Sequence, residues 1–335
     1  RGKRSVVVDL KQPDGLELTL RLAEQCDVLV ENFLPGTMGR LGLGYPAVSA
    51  RNPRLVYASC SGFGQTGPDS KKPAYDIIVQ GAAGTMSING DADRPPTRVG
   101  FSIGDIAAGL FGALAIVAAL RERDTSAQGQ HIDIGMMDCQ LALLENAASR
   151  YLNLGQVAER LGSSHPVSVP FSAYPTADGA IVIGASHDDE WERVCAVIGR
   201  PELAHDPRYA GRRDRVAHRS EVDGLLTEVM QTDTTAHWVE RLGAVRVACG
   251  PVNTVADAIE SPQAQAREMV AGMRDRSGRE IRVVGTPMKL SRTPACVAGP
   301  PPELGEHTIA VLTDVLGLDA VALEQLSDRG VVVQS

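Results

Sequence analysis

No C-x-x-C pair occurs in the sequence. The six cysteines (Cys26, Cys60, Cys139, Cys195, Cys249 and Cys296) are scattered, with no histidine pair nearby at ligand spacing. That argues against a zinc site and against a disulfide framework, and it fits a reducing cytoplasm. A basic surplus is also lacking. With a net charge of −8 and a pI near 5.4, nucleic acid and anionic membrane are poor candidates for the main partner. Any phosphorylated ligand must then be held by a few placed cations. There is no signal peptide, internal repeat or low-complexity tract. The longest apolar run, Ile106–Leu120, is short for a bilayer, contains glycines, and reads as a buried helix of a soluble domain. An initiating methionine is missing too. The chain starts Arg1-Gly-Lys-Arg-Ser5 and enters a strand directly, so residues upstream are expected.

What is present points to an α/β protein. At 335 residues, 43% apolar and 22% charged, the chain has the composition of an ordinary globular protein of one large or two smaller domains. Ser5–Leu10, Asp27–Glu31 and Arg54–Ser59 are β-rich runs, with an amphipathic helix over Leu16–Gln25. Strand, helix and strand at this spacing predict a βαβ unit and a parallel sheet. Gly62-Phe-Gly-Gln-Thr-Gly67 matches G-x-G-x-x-G as text, but Pro68 to Pro73 follow where a dinucleotide site needs a helix. A glycine-rich turn beside a ligand is the better reading. Helical patterns resume over Ala74–Met86 and Met136–Leu152. His131 opens a short strand and reads as a hydrogen-bonding residue, not a catalyst. Phe171–Ile183 predicts a hairpin turning at Asp178-Gly179. The expected domains are 1–160, a smaller α+β domain at 161–285, and a crossing segment with final helices at 286–335.

Asp105 leads the apolar run, just after Gly104. An aspartate there caps free backbone N–H groups and complements the helix dipole. That is the common reading; the sharper one is an ionised nucleophile at the edge of a water-poor pocket. Composition does not choose between these.

Several strings share one further property. Lys3-Arg-Ser, Asp9-Leu-Lys11, Asp27-Val-Leu-Val-Glu-Asn-Phe33 with Pro35-Gly36, Arg40-Leu-Gly42, Asn52-Pro-Arg-Leu-Val-Tyr57, Ser61-Gly-Phe-Gly-Gln-Thr-Gly-Pro68, Gly129-Gln130, Cys249-Gly-Pro251 and Leu304-Gly-Glu-His-Thr308 occur in this order. Together they resemble the class III CoA-transferases, the family of formyl-CoA and carnitine CoA-transferases that also contains α-methylacyl-CoA racemase. The resemblance covers essentially the whole chain. It implies a Rossmann-like large domain, a small α+β domain, and a homodimer of interlocked rings. Family members carry more residues at the start, holding a first βαβ unit.

The resemblance also implies roles. The family's catalytic aspartate falls on Asp105 of Ile103-Gly-Asp105, and its coenzyme A contacts fall on Val8, Lys11, Asn32, Phe33, Arg40, Leu41 and Tyr75. Lys11 and Arg40 suit the CoA phosphates, and Phe33 offers a face to adenine or pantetheine. Read without the family, the two cations are ordinary surface charges. A loop that guards the reaction falls on Gly162, Ser163, Ser164 and His165, and is less glycine-rich here. The implied chemistry is covalent transfer through an aspartyl anhydride and then an aspartyl-CoA thioester. It uses coenzyme A thioester as substrate, with no permanently bound cofactor and no metal. Oxyanion donors are needed at each tetrahedral step, and the glycine-rich turn and the helix start can supply them.

Within the family the competing activity is racemisation, which needs an acid/base pair. Racemases place histidine immediately before Asp-Ile, whereas this chain has Tyr75-Asp76-Ile77, and a phenol is a poor base at neutral pH. Transfer is therefore expected. Gly162–Pro170 and Ile181–Ala185 look closest to the succinyl-CoA-dependent branch that accepts short dicarboxylic acids. A CoA-binding protein without turnover remains an alternative of another class.

Overall fold

The computed structural model describes residues 1–334 and shows a mixed α/β protein. It opens with β1 (Val7–Val8), α1 (Pro13–Glu24) and β2 (Val28–Glu31). Pro13 stands at the start of α1, where a missing N–H is harmless. Gly15 is required, because a β-carbon there would lie 2.0 Å from the Asp9 carbonyl oxygen. The βαβ expectation needs correction at this point. Among the described residues β1 is not a neighbour of β2; it pairs antiparallel with Val332–Val333, near the far end of the chain. A run of valines records that a strand forms, not which strand lies beside it.

Two short helices, α2 (Thr37–Arg40) and α3 (Tyr45–Arg51), lead to β3 (Val56–Ser61). Then come α4 (Asp76–Ala82), α5 (Thr85–Ile88), α6 (Ile103–Ser126), β4 (His131–Gly135), α7 (Met136–Leu143) and α8 (Glu145–Leu154). β2, β3 and β4 form a parallel sheet with β3 at its centre, Val28 opposite Val56 and Tyr57 opposite His131. β3 is buried along nearly its whole length, as a central parallel strand should be. Tyr57 donates from its hydroxyl to the Leu43 carbonyl at 2.9 Å. Burial, with the Glu31 carboxylate nearby, pushes its pKa up to about 12. His131 is a hydrogen-bonding residue here, 3.0 Å from the Ser59 hydroxyl, with its ring stacked on Tyr45.

α6 departs from expectation. It begins at Ile103, not after Asp105, and runs 24 residues. Its small-residue flank (Ala107, Ala108, Gly112, Ala119) is buried, and the helix packs on β3, β4 and α7. Ile106, Leu110, Leu114 and Val117 form an exposed stripe, Leu110 being 69% accessible. By length and composition alone this helix would also suffice to cross a membrane. The expected buried helix is thus half covered. A rod that is apolar all round keeps no record of which flank has found a neighbour. The helix pattern over Met136–Leu152 is likewise divided, at Leu144, into α7 and α8.

A second compact unit comprises residues 87–97 and 159–265. The expected hairpin is there: β5 (Phe171–Pro175) and β6 (Ala180–Gly184) pair antiparallel, Tyr174 opposite Ile181. Helices α9 (Asp188–Val197), α10 (Arg212–Ala217), α11 (Arg219–Met230) and α12 (Thr235–Ala244) follow. β7 (Ala248–Pro251) adds to β6, and α13 (Val255–Glu260) and α14 (Pro262–Ala266) complete the segment. Tyr174, Ile183, Trp191, Leu226, Trp238 and Leu242 belong to one continuous core.

The chain then returns to the first unit, which holds residues 1–86, 98–158 and those from Ala266 on. β8 (Val270–Arg274) and β9 (Glu280–Val284) pair as a hairpin. α15 (Thr308–Leu316), α16 (Ala320–Asp328) and β10 (Val332–Val333) end it, with Leu312, Leu323, Leu326 and Val331 packed around Leu18 of α1. The expected boundary near 285 thus moves to about 265, and the loop at 87–97 changes side. Hydrogen bonds explain both shifts. Arg160 donates to the carbonyls of Asp91, Ala92 and Arg94, while Arg1 holds the Val284 carbonyl.

Candidate active site at the start of α6

Because β2 and β3 are parallel, their carboxyl ends share one edge of the sheet, the edge at which open α/β sheets hold ligands. The ends are Glu31-Asn32 and Ser61-Gly62. Gly62 lies against Ala74 so closely that a β-carbon would come 2.3 Å from the alanine's own. That contact brings Tyr75 and Asp76 beside the end of β3. The glycine-rich turn holds no helix, as its sequence predicts, and is pinned by the Gln65 N–H, 3.0 Å from each Asp133 carboxylate oxygen. These segments and the first turns of α6 enclose a cleft of about 710 Å³, lined by Asn32, Cys60, Ser61, Tyr75, Asp76 and Asp105 among others.

The capping question at Asp105 is answered by geometry. Ser102 stands at the N-cap and makes no side-chain cap bond. The acceptor comes from another helix: Asp76 takes the Gly104 N–H at 2.8 Å on Oδ1, and the Gln80 side-chain amide at 2.7 Å on Oδ2. Gln80, fully buried, accepts in turn from the Val99 N–H at 2.8 Å. Gly104 must be glycine for this, since a β-carbon would lie 2.5 Å from Gln140 Nε2 and 3.1 Å from Asp76 Oδ1. Relieved of capping, Asp105 sits exposed in the first turn and makes no hydrogen bond or ion pair among the described residues.

The other groups of the cleft are quieter. Glu31 accepts the Phe33 N–H at 2.8 Å, which shapes the loop after β2. Burial, reinforced by the Glu31 and Asp133 carboxylates, pushes the Cys60 thiol up, so it stays protonated and is a poor nucleophile. Ser61 is 9% exposed, and its hydroxyl has no partner.

Of the residues singled out from sequence, Asn32, Tyr75 and Asp105 meet in this cleft. Val8, Lys11, Phe33, Arg40 and Leu41 lie outside its lining, though in the same unit. Lys11 is exposed ahead of α1, and Phe33 is 48% exposed. Arg40 ends α2, bonded to the Thr37 hydroxyl at 2.9 Å and free of ion pairs among the described residues. Gly162, Ser163, Ser164 and His165 belong to the second unit. There Ser163 and Ser164 bond to the Ser172 hydroxyl, and His165 packs on Phe171, with ring centres 5.0 Å apart. Sequence reasoning left out Cys60, Ser61, Asp76 and Gln140 as site residues. Only Ser61 had a usable signal, its place at the carboxyl end of a buried parallel strand.

Comparison with known proteins adds the decisive observation: the sequence profile of CoA-transferase family III matches residues 1–308. The chain belongs to CoA-transferase family III. It is 39% identical over 327 residues to the succinate–glutarate CoA-transferase of Agrobacterium fabrum, covering 96% of this chain and 80% of that one. To the succinyl-CoA–D-citramalate CoA-transferase of Chloroflexus aurantiacus it is 38% identical over 333 residues, covering 99% and 83%. The crystal structure of a CaiB/BaiF family protein from Brucella suis superposes with a TM-score of 0.83 at 36% identity, covering 94% of this chain and 82% of the other. As a family III CoA-transferase, the protein acts on coenzyme A thioesters.

Proposed function

We propose that this family III enzyme transfers CoA from succinyl-CoA to a short dicarboxylic acid through covalent intermediates on Asp105. One observation carries the reading. Of the three carboxylates lining the cleft, Glu31 and Asp76 are tied by hydrogen bonds, and Asp105 alone is free. An Asp105 oxygen attacks the thioester carbonyl carbon, the C–S bond breaks, and CoA thiolate leaves a mixed anhydride behind. The thiolate then attacks the aspartyl carbonyl of the anhydride and releases succinate. The acceptor carboxylate attacks the aspartyl-CoA thioester, and the freed thiolate carries off the new acyl group, restoring Asp105. Lys11 and Arg40 hold CoA phosphates, Phe33 packs on adenine or pantetheine, and Val8, Asn32, Leu41 and Tyr75 complete the contacts.

The donor and acceptor rest on the two relatives named above, both of which carry succinate or succinyl-CoA in their names. We also propose that the protein is a cytoplasmic homodimer of interlocked subunits whose sheet is Rossmann-like. The exposed stripe of α6 and the exposed Leu141, Leu152 and Leu154 supply an apolar face for the second copy, and all six cysteines are free thiols.

The test is CoA exchange. The protein is mixed with succinyl-CoA and a panel of carboxylates, new thioesters are separated by chromatography, and Asp105→Ala is run in parallel. A new dicarboxylyl-CoA that vanishes in a folded D105A establishes the reading. Exchange that survives D105A overturns the nucleophile. α-Proton washout from a branched acyl-CoA in heavy water, without exchange, makes the protein a racemase, and CoA binding without either activity leaves a binding protein.

A further inference from the structure

Near the start of α6 two buried polar atoms lack a partner, Gln140 Nε2 and the Ser61 hydroxyl, and of the two residues only Ser61 lines the cleft that holds Asp105. Ser61 ends β3, the central and most enclosed strand, with its backbone paired to β4 opposite Gly135. Two residues earlier on the same face, Ser59 uses its hydroxyl on His131 at 3.0 Å. Glu31, Asp76 and Gln80 are all bonded within the protein. Ser61 Oγ is buried to nine-tenths, lines the cleft with Asp105, and bonds to nothing. A buried hydroxyl without a partner is rare in a folded protein and costs stability. It is the pattern of a donor reserved for a ligand.

We propose that Ser61 is a further catalytic residue, its Oγ–H donating to the acyl oxygen of the thioester as negative charge gathers there. The inference rests on Asp105 being the nucleophile. As the Asp105 oxygen bonds to the carbonyl carbon, the C=O π pair moves to oxygen, and the Ser61 hydroxyl takes that oxyanion as its acceptor. When the oxyanion collapses and the C–S bond breaks, the hydrogen bond weakens, and no proton is transferred. Two features suit the task. Ser61 belongs to a central strand, so its backbone is held in place before substrate arrives, and its hydroxyl is itself buried in the cleft wall with no internal acceptor to compete for it. The neighbouring Gly62 leaves the backbone close to Ala74, so the donor cannot swing away with its loop.

Ser61→Ala and Ser61→Thr decide the matter in the exchange assay, read with thermal melts. The expected result for S61A is a kcat lower by about 10²-fold, the usual effect of one lost oxyanion donor. KM for succinyl-CoA should stay within about threefold, as befits an interaction made only in the transition state. Its melting temperature should be unchanged or higher, because the deleted group had no partner, whereas a structural hydroxyl would lower it. S61T, which keeps the donor on a side chain suited to strands, should retain activity well above that of S61A. A raised KM with unchanged kcat, an unaffected kcat, or an S61A that melts earlier each overturns the proposal. Inactive D105A beside a fully active S61A sinks this inference alone, whereas active D105A sinks the reading beneath it.

Discussion

In the second unit the guanidinium of Arg215 is fully enclosed, and all its bonds are internal. It donates to the carbonyls of Val169, Tyr209 and Ala210 at 2.8–2.9 Å and to Asp188 at 2.8 Å. In the first unit the carboxylate of Asp105 stands in a cleft with no partner among the described residues, beside a buried hydroxyl that has none either. Both are charged side chains on helices, and the contrast separates two uses of charge. One joins α10 to the segment ahead of β5 and to the start of α9, so its removal costs structure. The other is left unpaired by neighbours that take over the helix capping, so under the proposed mechanism its removal costs chemistry.

Four measurements sharpen or break that contrast. Asp105→Ala should lower kcat by about 10³-fold or more, as loss of a nucleophile does, while its melting curve overlays the parent's. A D105A that unfolds would place Asp105 with Arg215. Arg215→Leu should do the reverse. Three carbonyls, two of them buried, lose their donor, so the second unit should lose on the order of 3 kcal/mol, read as a lower urea midpoint with turnover at 25 °C preserved. Asp76→Ala should fall between them, because it removes the acceptor that holds Gly104. Both kcat and stability should drop, the latter by about 2 kcal/mol, and stopped turnover with an unchanged midpoint would refute the capping role. The smallest effect on the isolated fold is expected from Leu110→Arg on the exposed stripe of α6. Its melting under dilute conditions should hardly change, while light scattering should report a smaller particle; an unchanged particle would remove α6 from the proposed dimer contact.

Much of the frame was legible because local rules suffice for it. Asp178-Gly179 between two β-rich runs gives the β5–β6 hairpin, and a continuous apolar run gives β3. Proline after the glycines excluded a dinucleotide turn, which the structure bears out. What stayed hidden depends on contacts between distant residues. Asp76 caps a helix 28 positions away, a separation for which no periodicity exists. β1 finds its partner more than 300 residues on, and no pattern in Ser5–Leu10 names Val332. Gly104 looks like a flexible hinge in sequence, yet it is glycine because two side chains occupy the space a β-carbon would need. The free state of Asp105 was beyond reach for the same reason. A cap and a nucleophile differ only in whether something else does the capping.

The ladder between Val7–Val8 and Val332–Val333 also imposes an order in time. A ribosome has made all of residues 159–265 before β10 exists, so the second unit, whose core lies within that stretch, is free to fold while synthesis continues. At about 5–20 residues per second, roughly 3–15 s pass between Gln265 and Val332. During that interval β1 has no partner, and the apolar faces of α1 and Val8 wait for α15 and α16. The first unit, although begun earlier, is finished last. A chain stopped between Gln265 and Val331 therefore carries a complete second unit and a first unit that lacks the strand β1 pairs with.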